Sequence, residues 1–266
     1  MAAGTPDINY GGYQLRIRQD GGGFRGIIVG HSDTPYCGPT YEAVRARLIR
    51  AVHERHPSFI GLDGARRRFL DLFPEGCADP AYGGARGEAG TKRQTSEWFR
   101  GALPADAVAA HPDPGAVAAR AIGRTQLVGN AVQATRLGNV LKSERGRDFL
   151  RIAADFSDGN VARACDALAR DPGFGDVSNW VCMTLFPFLW RPDAHLFLKP
   201  TVMRTFAERI GHGFQHAYCA RPNPETYGAL LDMGREVREW IADLGARDMI
   251  DVHSFIWATV KYRDPD

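Results

Sequence analysis

The sequence predicts a mostly α-helical protein, with a small N-terminal β-hairpin and helix (a ββα unit) ahead of an all-helical body. Three observations carry this. Apolar and polar residues alternate from Tyr13 to Arg18, and a glycine triplet follows after Gln19-Asp20. From about Ser96 onward, apolar residues recur at helical spacing in segment after segment. Between those segments stand helix starters and breakers such as Asn223-Pro224 and Gly245.

The elements follow in order. Tyr13, Leu15 and Ile17 alternate with Gln14, Arg16 and Arg18, and Gly21-Gly22-Gly23 turns the chain into Phe24–Val29, so residues 10–31 read as a hairpin. A lone hairpin is marginal in water and needs something to pack on. Helix 41–54, opened by Thr40, offers Tyr41, Val44, Leu48 and Val52 on one face. This unit, residues 1–57, closes near Pro57. Residues 58–95 read as a linker region with a short basic helix, Ala65–Phe73, stopped at Pro74. The Gly-rich stretch Tyr82–Gly90 reads as a mobile loop or linker. Residues 96–266 read as the helical domain, with helices near 96–103, 114–122, 125–142, 145–156, 160–170, 177–190, 200–212, 224–244 and 247–261. In the long one, Tyr227, Leu230, Leu231, Val237 and Ile241 form the buried stripe, while Arg235, Glu236, Arg238 and Glu239 face water.

Bulk properties narrow the function classes. At 266 residues the chain is long enough for a sizeable core, and 44% hydrophobic with 24% charged residues is ordinary for a globular protein. No run of about 18 apolar residues exists, so no membrane span is expected. The N-terminus lacks a basic start and an apolar stretch, so a cytoplasmic protein is expected. Five scattered cysteines without a CxxC pair point to reduced thiols and to neither a metal nor another cofactor. Walker A, GxGxxG, HExxH and GxSxG sequences are absent. Net charge is only +2, yet arginines gather between Tyr41 and Leu70: Arg45, Arg47, Arg50, Arg55, Arg66, Arg67 and Arg68. Guanidinium groups suit phosphate, and Arg66, Arg67 and Arg68 are candidate DNA contacts. The alternative is a solvated helix face.

The stretch Pro172–Gly211 carries the chemistry. Pro172-Gly173-Phe174-Gly175 has glycines where successive backbone N–H groups could approach a phosphate, and a helix from Val177 would add its positive end. Next come Pro192-Asp193-Ala194-His195, Lys199-Pro200, and a helix closing in Arg209-Ile210-Gly211. Hairpin turn, helix, Asp/His loop and helix, in that order, resemble the helix-hairpin-helix DNA glycosylases, whose pattern is a P-G-x-G turn, a V-D-T-H-like tetrapeptide and an R-L-G-like close. The resemblance implies an all-helical body of that type, with Gly173 and Gly175 on DNA phosphate and Asp193 as the carboxylate that stabilises the sugar cation and directs water. His195 would orient it, and Lys199 would hold a phosphate or attack the sugar as an amine. Trp180, Phe188 and Trp190 would wall the pocket for a base turned out of the stack. The plain alternatives are a turn carboxylate, a structural histidine, a helix-capping lysine and core aromatics. Two departures stand out: extra residues separate His195 from the next helix, and Asp176-Val177 replace the lysine that bifunctional members carry after the turn. A monofunctional enzyme is therefore expected.

The last helix contains Ile250-Asp251-Val252-His253-Ser254-Phe255-Ile256-Trp257. It is similar to the L-D-A-Q-S-h-h-W ending (h, apolar) of helical domains attached to McrB-like restriction ATPases. Asp251 is the reserve candidate for the active carboxylate, against a structural role near Arg247 or His253. Both resemblances concern modified DNA. Together they imply a glycosylase that excises modified bases from double-stranded DNA, such as glucosylated hydroxymethylcytosine of phage DNA, in anti-phage defence. A non-catalytic domain recognising modified DNA is the alternative; a toxin–antitoxin or regulatory partner is a third.

Overall fold

The computed structural model describes residues 7–10, 13–32, 34–55 and 58–262. It opens with a sheet in the order β1 (Ile8–Tyr10), β2 (Tyr13–Asp20), β3 (Gly23–Ile28) and β4 (Tyr36–Gly38), every pair antiparallel. The expected hairpin is β2–β3, joined by Gly21 and Gly22 with φ of +54° and +99°, values that favour glycine. Two flanking strands enlarge the expected ββα unit to four strands and a helix. Each is only three residues long, too short for alternation to show in sequence. Helix α1 (Tyr41–Arg55) starts where Thr40 Oγ1 accepts the Ala43 amide at 3.2 Å, and it packs on one face of the sheet. Leu15, Ile17, Ile28, Val44, Leu48, Ala51 and Val52 form that small core. The expected boundary at Pro57 lies outside the described residues.

Residues 58–95 depart from a linker. Helix α2 (Gly61–Leu72) buries Ala65 and Phe69, and the Phe69 ring meets those of Phe73, Tyr82 and Phe255. These side chains belong to the same core as the helical body. The glycines after α3 (Pro80–Gly83) allow close backbone packing: a Cβ on Gly90 would stand 1.8 Å from the Gly84 carbonyl oxygen. Gly90 thereby begins α4 (Gly90–Ala102), which puts Lys92 and Arg93 on a helix.

The body continues through α5 (Pro114–Gly123), α6 (Ala131–Lys142), α7 (Gly146–Ser157), α8 (Val161–Arg170) and α9 (Trp180–Trp190). Then come α10 (Pro200–Ile210), α11 (Phe214–Ala217), α12 (Pro224–Trp240) and α13 (Met249–Lys261). Every residue of α9 is buried, making it the central helix, with α4 and α7 packed against it. Helices α10 and α12 pack on α13. Helix α6 begins at Ala131 because the Asn130 side chain accepts the Val132 and Gln133 amides, so residues 124–130 form a loop where a helix was expected. Among the described residues no helix is long and apolar enough to cross a membrane.

Candidate active site

The expected phosphate turn is closed from within. Asp171 Oδ1 accepts the Gly173 amide at 2.9 Å, and the amides of Phe174, Gly175 and Val177 donate to backbone carbonyls of the same turn. Arg145 pairs with Asp171 and lies over the Phe174 ring, 4.4 Å from its centre. Its guanidinium fills the space beside Gly173, where a Cβ would come within 2.3 Å of Nη1. A carboxylate thus already sits where a phosphate would. Helix α9 also starts later than expected, at Trp180, because the Asn179 side chain caps it by accepting the Cys182 amide.

The Asp/His loop separates its two members. Asp193 lies exposed on a turn, without the low-dielectric surroundings the carboxylate role needs. His195 is buried with both ring nitrogens engaged: Nε2 donates to the Ser157 carbonyl at 2.9 Å, and Nδ1 accepts from the Tyr227 hydroxyl at 3.0 Å. A carbonyl can only accept, which fixes this tautomer. Burial holds the imidazole below its usual pKa, so the ring is neutral and structural.

Other expected contacts are occupied as well. Trp180, Phe188 and Trp190 are core residues rather than the wall of an open pocket. The indoles of Trp180 and Trp190 donate to the carbonyls of Cys219 and Leu103, both at 2.7 Å. Arg66 grips Asp243 and the Trp240 carbonyl. Arg68 caps the C-terminal end of α13 through the carbonyls of Thr259 and Tyr262, and Arg67 is exposed. Asp251 is fully buried between Arg93 and Arg247, and it also accepts the Arg247 amide at 2.9 Å. Its lone pairs serve the junction of α4 with α13, which matches the structural alternative.

One expected residue does reach a distinctive setting. Lys199, held by Pro200 at the first turn of α10, places Nζ 4.5 Å from the centre of the Trp257 ring. Nζ also donates to the Leu127 carbonyl at 3.4 Å and lies beside Gly129 in the 124–130 loop. The two sequence motifs, one around Lys199 and one ending in Trp257, meet here. Burial lowers the Lys199 pKa, and the charges of Lys261 and Lys92 lower it further. Among the described residues it forms no ion pair with a carboxylate.

Around this pair stand groups that the sequence did not single out as site residues, His253 being considered only as a partner of Asp251. Lys92 is nearly buried and pairs with Glu88, four residues earlier in the turn that precedes α4; Glu88 also accepts the Tyr262 hydroxyl at 2.7 Å. His253 lies fully buried between the rings of Phe188 and Phe197, and neither ring nitrogen has a partner among the described residues. Burial holds it well below its usual pKa, and Lys92 and Lys199 act in the same direction. The spacing of Glu88 to Lys92 was a readable signal. Their meeting with Lys199 was not, because it joins α4, the 124–130 loop, α10 and α13.

Chemically, this is a part-buried amine with a depressed pKa, flanked by an aromatic face and further cations. Such an amine can attack an electrophilic carbon or hold an anion, and the indole can stack on a planar base. Among the described residues no three His, Cys, Asp or Glu side chains converge as metal ligands. Comparison of the chain with family models, curated proteins and solved structures finds no match.

Proposed function

We propose that the chain is a DNA-base glycosylase that excises modified bases from duplex DNA, hypermodified phage cytosines foremost, with Lys199 as its reactive group. The observation that carries this reading is the Lys199 amine over Trp257, desolvated and beside other cations. Burial and the neighbouring cations lower its pKa, a shift in the direction that favours the nucleophilic free amine. It moves the reactive group from Asp193, which is exposed, to Lys199. The expected monofunctional route through water then gives way to a covalent one.

A base turned out of the stack rests on Trp257. The neutral Nζ attacks C1′ of the deoxyribose. The C1′–N bond breaks, its electron pair leaves with the base, and a proton from solvent neutralises the base. Nζ gives up a proton, the C1′–O4′ bond opens with its electron pair and a proton going to O4′, and the resulting imine is hydrolysed by water, which returns the amine and leaves an abasic site. Lys261, which is exposed, attracts a flanking phosphate.

The test uses two duplexes, one unmodified and one carrying glucosylated hydroxymethylcytosine, each incubated with the protein and then treated with alkali. Strand breaks confined to the modified duplex, and lost in Lys199→Gln, are the expected result. Binding of the modified duplex with no breaks would replace this reading with a recognition domain that does no chemistry.

A further inference from the structure

The sheet has a second face, turned away from α1. Leu15 and Ile17 of β2 and Gly26 and Ile28 of β3 turn inward to α1. Their sequence neighbours Gln14, Arg16, Arg18, Arg25 and Ile27 therefore turn outward. The strand register sets Asn9 opposite Gln14, Arg16 opposite Ile27, and Arg18 opposite Arg25. The three arginine side chains keep 43%, 46% and 56% of their surface exposed.

The charge arrangement is unusual for a face with no function. Arg18 and Arg25 are like charges directly opposed across two strands, a pairing that costs stability. Among the described residues Asp7 is shared by Arg16 and Arg18, and Asp20 pairs with Arg25. Two-residue spacing along β2 separates Gln14, Arg16 and Arg18 by roughly 6.7 Å each. That is close to the rise of two nucleotides along one DNA strand, about 6.8 Å. Arginine, glutamine and asparagine are also the side chains that pair with base edges, and the major groove admits a two-stranded ribbon.

We infer that this face is a second DNA-contact surface, on which β2 and β3 lie in the major groove of duplex DNA with Arg16, Arg18 and Arg25 on phosphates and base edges. It is separate from the Lys199 site and does not depend on excision. Asp7 and Asp20 hold the guanidiniums outward and exchange them for phosphate oxygens when DNA arrives. In the absence of DNA the same carboxylates keep the surface from binding anions indiscriminately.

The experiment is duplex binding by the full chain, read by fluorescence anisotropy on a labelled, unmodified duplex over a range of salt. The triple variant Arg16→Ala, Arg18→Ala, Arg25→Ala is expected to bind about tenfold or more weakly, with a salt slope smaller by about 2–3. Arg25→Ala alone loses only a surface pair with Asp20, so it keeps the fold and is expected to bind several-fold more weakly. Asp7→Asn, which releases Arg16 and Arg18, is expected to bind more tightly. The loss caused by the triple substitution should recur in a Lys199→Gln background, where excision is already silent. Unchanged affinity and slope in both arginine variants would overturn the inference. So would weaker binding by a folded Asp7→Asn protein, or a preference for single-stranded RNA over duplex DNA.

Discussion

Single residues here divide by how their polar atoms are satisfied. His195 and His253 are both buried, and burial keeps both pKa values down. The unfolded chain takes up protons near the ordinary histidine value of about 6.5, while the folded chain resists them. Their contribution is therefore complete above about pH 6.5 and falls away as the pH drops toward the folded-state values. Urea midpoints at about pH 7.5 and pH 5.5 check this: a lower midpoint in acid is expected, and a smaller difference in His253→Phe, where the His195 part remains. Equal midpoints in the unsubstituted protein would contradict it. The same criterion of satisfaction separates Asp193 from Lys199. Sequence order made them alternatives, but only Lys199 is partly desolvated beside an aromatic face. Periodicity reports which side of a helix is apolar. It does not report which polar atom on that side has already found its partner, as Gly173 has in Asp171.

Elements were legible where local chemistry decides them. Asn223 caps α12 with its side chain, and Gly245 adopts φ of +87° after the turn that follows. Both signals act within a few residues, so the helices of the body fall close to their expected places. Where tertiary packing decides, the signals misled. The glycines from Gly83 to Gly90 read as a loosening of the chain, yet they let α3 and α4 approach backbone to backbone. Gly90→Ala would drive a methyl group into the Gly84 carbonyl. It is expected to destabilise the protein by about 1–3 kcal/mol, measured by urea unfolding, with the start of α4 and thus Lys92 displaced. A stability equal to that of the unsubstituted protein would mean that this approach is looser than described.

At the scale of the whole molecule, the chain combines a sheet whose outer face carries arginines with a helical body built around α9. The body brings Lys92, Lys199 and Trp257 to one place from three distant segments. No local pattern could have announced that meeting, although two of its three parts stood in motifs that drew attention on other grounds. Two surfaces then suit one proposed activity, in which the sheet holds duplex DNA in its groove and the amine acts on a base turned out of it. The most direct measurement is reduction with borohydride during incubation with a duplex carrying glucosylated hydroxymethylcytosine, which would fix an imine between Lys199 and the sugar as a covalent protein–DNA band. The expected result is a band with the unsubstituted protein and none with Lys199→Gln. Strand breaks that form without a trapped band, or a Lys199→Gln protein that cleaves as well as the original, would contradict the role given to Lys199.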